Sequence, residues 1–224
     1  MSDTPYPSHR LLIFETHPIQ YRAPIYRLLN QLRPSTIHVV YASDYSIRAG
    51  FDAEFGQAIT WDNGLLDGYS YTVLSTAHRR TPSSWHQLGA TGLGEIYDQY
   101  RPSAVLLNSI HFWFDYAAYG HALIRRLPVW MRCETQDYAF IRSPVRSFLR
   151  SQYYRFLYSG IKQAFPIGVL NRRHLLKHGF SSSQLVDAYY CTPNPCRNLT
   201  LEQKSHLRSQ LRASLGISPS QTLI

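Results

Sequence analysis

Three short stretches place chemically capable side chains where a buried apolar run gives way to a polar turn. The first, ETHPIQYR, follows the run Leu11–Phe14. Glu15 puts a charge at the end of that run, and His17, Gln20 and Tyr21 could hydrogen-bond a ligand held there. The second, NSIHFWFD, follows Ala104–Leu107 and offers Asn108 and His111. The third, RCETQD, follows Pro128–Met131 and offers Arg132 and Glu134. Each set also has a structural reading. His17 and Gln20 could cap the turn while Tyr21 packs on a sheet, and Arg132 could pair with Glu134 across its loop. Position alone does not choose between them.

The elements that must position these residues follow from hydrophobic period. Leu11–Phe14, IHVVYA (37–42), Tyr71–Leu74, AVLL (104–107) and 128–132 are short apolar runs, the mark of buried strands. From Pro24 the period changes: Ile25, Leu28, Leu29 and Leu32 recur at helical steps, and Pro34 stops them. Helices are also expected over 85–100, from the HFWFD loop to Arg126, and over 145–159 and 171–178, with extended chain at 164–169 and 185–191. Residues 43–70 read as a long loop, too long to be a mere connector. Strand and helix alternate about every thirty residues, which predicts an α/β fold: a Rossmann-like, doubly wound parallel sheet with helices on both faces. Ligands of such sheets bind beyond the carboxyl ends of the strands, where all three stretches lie.

Composition narrows the partners. With 44% hydrophobic and 17% charged residues among 224, a packed core is expected. The net charge of +9 suits an anionic partner. No nucleic-acid motif accompanies it, so nucleic acid is not expected. Eight basic residues from Arg142 to Lys177 meet no acidic one, and Val145, Phe148, Leu149, Tyr153, Phe156 and Leu157 form an apolar stripe on the same helix. That helix could lie on an anionic membrane, or pack its stripe into the core with a solvated basic face; the second is the plainer reading. Three unpatterned cysteines, the lack of a signal peptide and the lack of a long apolar run predict a cytoplasmic protein, with peripheral contact at the inner face of the membrane as the variant. Gly89, Gly92 and Gly94 have the wrong spacing for a dinucleotide loop. His174 and His178, four apart without an HExxH frame, read as surface histidines, and no metal site or cofactor is expected.

The order of several motifs adds a resemblance. HPIQYRAPIYRLLNQL, FDAEFGQAITWDNGLLDGY, WMRCETQD and IGVLNRRHLLKHGFSSSQL with YYCTPNP together resemble the N-terminal domain of family 4 glycosyltransferases of the GT-B fold, in a bacterial polysaccharide branch. The likeness covers most of residues 10–217. It implies transfer of a sugar from a nucleotide-sugar to an acceptor hydroxyl, with retention and without a required metal. The nucleotide-sugar and a glycan or lipid-linked acceptor would be the substrates. It further implies that His17 and His111 act at the reacting centre, and that Glu15, Gln20, Tyr21, Asn108, Arg132 and Glu134 shape the sugar sites. By this reading residues 1–195 form the acceptor-side domain, 196–216 a linker and helix, and 217–224 the start of a C-terminal domain, with Thr222–Ile224 as its first strand. That nucleotide-binding domain would be a missing partner. A glycan- or nucleotide-binding module without catalysis is the alternative.

Overall fold

The computed structural model describes residues 9–47, 50–52, 56–59, 64–76, 84–192, 194, 196–218 and 220–222. The chain divides into two compact units, Met1–Cys191 and Thr192–Ile224.

The first unit is built on a six-stranded sheet. Its strands are β1 (Leu11–Glu15), β2 (Ile37–Tyr41), β5 (Tyr71–Val73), β6 (Ala104–Leu107), β7 (Val129–Met131) and β8 (Ile161–Ala164). All neighbours pair in parallel. The spatial order is β5-β2-β1-β6-β7-β8. The chain thus lays strands outward in one direction from β1, then returns to its other side at β6. This is the doubly wound Rossmann-like arrangement, and the crevice between β1 and β6 is its topological switch point.

Alternation along the strands divides the core. Leu12 and Phe14 of β1 face the same way as Val105 and Leu107 of β6 and Val129 and Met131 of β7. They meet α2 (Leu93–Tyr100), α3 (Trp113–Ile124) and the C-terminal turn of α4 (Pro144–Tyr158). Ile13, Val39 and Tyr41 face the other way, against Ala23 and Tyr26 of α1 (Ala23–Leu32) and the Leu65–Tyr69 segment. Helices on both faces account for the continuous apolar strands.

Several local expectations shift. The helix expected over 85–100 starts only at Leu93, because Gly92 takes a left-handed φ of 88° and ends the preceding turn. The periodic face of α1 is turned largely to solvent, with Leu32 66% exposed; Ala23 and Tyr26 make the buried contact instead. The loop at 43–70 holds a small antiparallel pair, β3 (Gly50–Asp52) with β4 (Gln57–Ile59). Phe55, Trp61 and Asp62 of that loop lie outside the described residues, as do Leu223 and Ile224 of the expected terminal strand. The extended chain expected at 164–169 falls earlier, in β8, and α5 (Val169–Lys177) begins two residues before its expected start. Of the expected 185–191 strand, one parallel bridge from Leu185 to Ala164 forms.

The second unit carries α6 (Leu201–Ser214), whose start is closed by a capping box between Thr200 and Gln203. Among the described residues no helix is long and apolar enough to cross a membrane.

Candidate functional site

Glu15 ends β1 and Asn108 follows β6, so the parallel pairing of Phe14 with Leu107 brings them to the same crevice. A carboxylate at the end of a buried strand needs partners. Glu15, 2% exposed, receives the Arg22 guanidinium and the Tyr26 hydroxyl. Asn108 Nδ2 donates to the Tyr26 hydroxyl at 3.0 Å. Arg22 Nη2 donates to the Tyr190 hydroxyl at 3.2 Å, and that hydroxyl in turn donates to Glu134. Arg132 lies over the Tyr190 ring at 4.4 Å and donates to the Ala188 carbonyl. A continuous polar chain therefore runs Asn108–Tyr26–Glu15–Arg22–Tyr190–Glu134 across the switch point.

Burial pushes the Glu15 carboxyl up, against the pull of Arg22 and Tyr26. Burial alone would lower Arg22, but the carboxylate beside it holds the guanidinium above its ordinary value. Burial and the neighbouring Glu15 charge likewise keep the Tyr26 hydroxyl protonated.

Above this network opens a cavity of about 420 Å³. β1 and its turn contribute Glu15, Thr16, Tyr21 and Arg22; the β6 turn contributes Asn108, Ser109 and His111; the β7 turn contributes Cys133, Glu134 and Thr135. Tyr154 of α4 closes one side. The wall is rich in hydroxyls, and its one described guanidinium faces two carboxylates: Arg22 is paired with Glu15 and lies 3.8 Å from Glu134.

The start of α3 points in the same direction. Helix N-termini ordinarily offer free amides to an anion. Here Asp115, buried in the first turn, occupies them itself: its Oδ2 accepts from His111 N at 2.8 Å, Phe112 N at 2.9 Å and Ser109 Oγ at 2.6 Å. Burial raises the Asp115 carboxyl while these three bonds favour its charged form. The crevice is thus suited to a polyhydroxylated neutral group more than to a diphosphate.

Of the residues singled out in the sequence, Glu15, Tyr21, Asn108, His111 and Glu134 share this cavity; His17, Gln20 and Arg132 are not in its lining. His17 sits edge-on to Tyr45 at 5.7 Å and bonds through Nδ1 to the Thr16 hydroxyl at 2.9 Å. Burial, with Arg22 nearby, lowers its pKa to about 4, so its ring is neutral at pH 7. It does not cap α1, which has no side-chain cap. Tyr21 packs on Tyr190 at 4.8 Å. His111 is exposed at the rim. Arg132 and Glu134 do not pair; Tyr190 stands between them, receiving the cation on its ring and bonding the carboxylate. Arg22, Tyr26, Asp115 and Tyr190 were not singled out. Arg22 was legible as the nearest cation to a buried carboxylate, but nothing local marks Tyr190, 168 residues further along the chain.

A second cluster corrects the reading of His174 and His178 as surface groups: both are buried, at 1% and 2% exposure. Asp137 accepts from His174 Nδ1 at 3.0 Å and approaches His178 Nε2 at 3.2 Å, Lys177 Nζ at 3.4 Å and Arg150 Nη2 at 3.5 Å. The three acidic and imidazole groups are near enough to hold a metal ion. Two cations on the same carboxylate already satisfy it and would repel a third positive charge. The cluster therefore acts as a clasp, tying the turn after β7 to α4 and α5.

No family model matches the chain, and no curated protein matches it. Among solved structures it is similar to a UDP-N-acetylglucosamine 2-epimerase (12% identity, TM-score 0.48, 80% of this chain and 48% of that one). It is similar also to the S. aureus MnaA–UDP co-structure (16%, 0.46, 80% and 44%). A third is the UDP-GlcNAc 2-epimerase from Neisseria meningitidis bound to UDP-GlcNAc (17%, 0.47, 93% and 54%). The chain spans about half the length of these structures. Likeness this remote assigns no chemistry.

Proposed function

We propose that the first unit is the acceptor-holding half of a sugar-transferring enzyme, which presents an acceptor hydroxyl to a nucleotide-sugar supplied from outside this unit. The observation that supports it is the switch-point cavity: a hydroxyl-rich wall, a buried polar chain beneath it, and no uncompensated cation among the described residues of its lining. A developing diphosphate leaving group needs cationic or helix-end stabilisation. Asp115 and Glu15 use up what this crevice has, so that task falls to a second, nucleotide-binding component.

In this reading Glu134, Asn108, Ser109 and Tyr21 orient the acceptor by hydrogen bonds. His111, at the rim, meets the hydroxyl that reacts. His17, neutral and outside the lining, holds the Thr16 hydroxyl that lines the wall, and Arg132 holds the Tyr190 ring. Burial and orientation of the acceptor would supply the rate advantage of proximity.

The experiment is saturation-transfer NMR on the whole chain with a panel of mono- and disaccharides, and with UDP and GDP. Saccharide signals that vanish in Asn108→Ala support the proposal. Tight binding of UDP or GDP without any saccharide signal overturns it in favour of a nucleotide-binding module. Transfer from a nucleotide-sugar by this chain alone would overturn the division of labour.

A further inference from the structure

Of the two readings of the apolar stripe on α4, packing into the core was the plainer; the structure buries only its Leu157 and turns the rest outward. At about 100° per residue, Tyr154, Leu157 and Tyr158 mark the side that meets the sheet, and Val145, Leu149 and Phe156 the opposite side. Phe156 is 82% exposed, and Val145, Phe148 and Leu149 each exceed half. The turn before the helix adds Tyr138, Phe140 and Ile141, also exposed. The Asp137 clasp holds this turn in place, and Ser143 caps the helix that follows it. The apolar surface is therefore displayed by rigid elements rather than by a frayed end.

Its charge is as one-sided as its polarity. From Tyr138 to Tyr158 stand Arg142, Arg146, Arg150 and Arg155 and no Asp or Glu; Arg150 turns back to Asp137, while Arg146 and Arg155 stay exposed. On α4, Arg146 borders the outward apolar stripe on one side and Arg155 on the other, both exposed. Monomeric proteins rarely expose a contiguous apolar surface of this kind without a use for it.

We propose that this face, from Tyr138 through α4, docks on an anionic lipid surface. The helix lies flat, Val145, Phe148, Leu149 and Phe156 enter the headgroup–acyl boundary, and Arg146 and Arg155 meet lipid phosphates. The aromatic and aliphatic mixture fits a bilayer interface, and the lack of any acidic residue matches its charge. The inference stands on a different surface from the sugar cavity and does not depend on its function.

The test is flotation of the whole chain with vesicles of phosphatidylcholine containing phosphatidylglycerol, and with phosphatidylcholine alone. Binding to the anionic vesicles is expected, weakened by high salt. Phe148→Glu with Phe156→Glu should lower it about ten-fold or more, since both insertion and charge are lost. Arg146→Glu with Arg155→Glu should lower it on anionic vesicles alone. Melting temperature close to that of the parent shows that each variant folds. Absence of binding to anionic vesicles overturns the proposal. So does a face that instead drives self-association, or captures an acidic protein, with Phe148→Glu abolishing that contact and no lipid bound.

Discussion

The crevice between β1 and β6 and the outer face of α4 handle charge in opposite ways. In the crevice Arg22 meets Glu15, Tyr190 and Glu134, and Asp115 meets its own helix end. On α4 the arginines outnumber every acidic neighbour, and apolar side chains stand in water beside them. The first region is preorganised: its polar groups are fixed by one another before a ligand arrives, at a desolvation cost already met on folding. The second leaves its apolar and cationic side chains in solvent. Both proposals rest on that difference: neutralised charge suits a neutral polar ligand, and surplus charge beside bare apolar surface suits an anionic, apolar-backed partner.

The sharpest way to break this contrast is to remove one partner of the buried pair. Arg22→Ala leaves Glu15 and Tyr26 buried with an uncompensated charge, and should destabilise the fold by about 3–5 kcal/mol. Arg146→Ala, on the open face, should change stability by less than about 0.5 kcal/mol. Urea denaturation of both measures the difference; equal losses would mean that the crevice network is no more built than the surface.

Asp115→Ala tests the same idea at the helix end. Three donors lose their acceptor in a buried setting, which should cost about 1–3 kcal/mol. Asp115→Asn keeps the shape and an acceptor oxygen, so its loss should be smaller. If the crevice then gained affinity for inorganic phosphate, the claim that Asp115 occupies the anion position would be strengthened.

How much of this contrast was readable beforehand depends on range. Five of the six parallel strands were legible in place, four of them (β1, β2, β6 and β7) as unbroken apolar runs whose burial on both faces leaves no other period; β8, with Lys162 and Gln163 in its middle, carries no such run and was expected three residues late. The strand ends carrying Glu15, Asn108 and Glu134 followed from that. Tyr190 was not legible, because it reaches Arg22 only once the chain has crossed the whole sheet. The outward stripe of α4 failed for a different reason. Helical period shows that a face is apolar but not what it meets, and here Tyr154, Leu157 and Tyr158 on the other side already satisfied the sheet. His174 and His178 read as surface groups because no HExxH frame accompanies them; the acid that they meet, Asp137, comes from the β7 turn, far away along the chain.

Acid should loosen the buried histidine beside the crevice and the clasp behind α4. Burial lowers the His17 and His174 pKa values to about 4, so both are neutral in the folded chain, whereas unfolded histidine titrates near 6.5. The unfolded state thus binds more protons, and stability should fall as pH drops from about 6.5 to 4. Burial would raise Asp137, but the His174 hydrogen bond and the charges of His174, His178 and Lys177 bring it down to about 2. Its contribution is present above the unfolded value near 3.8 and is lost as pH falls from there toward 2. Melting temperature against pH should therefore show two descending limbs. His17→Asn should shrink the upper limb, to which His174 of the clasp also contributes, and leave the lower one, which belongs to Asp137.

The smallest expected effect on the fold, and the most telling for the crevice, comes from His111→Ala. The imidazole is exposed at the rim, and the contact that orders its turn is made by its backbone amide to Asp115, which alanine retains. Stability should change by less than about 0.5 kcal/mol. If the rim meets the reacting hydroxyl, the variant should still bind saccharide in the cavity, through buried Asn108 and exposed Glu134. Transfer in the presence of a nucleotide-binding component should fall by about 10²-fold or more, the usual scale for losing a positioned acid or base. A variant that transfers sugar at the parental rate would take His111 out of the chemistry. The preorganised network beneath it would then be a binding surface alone, and the crevice would differ from the face of α4 in what it holds but not in what it does.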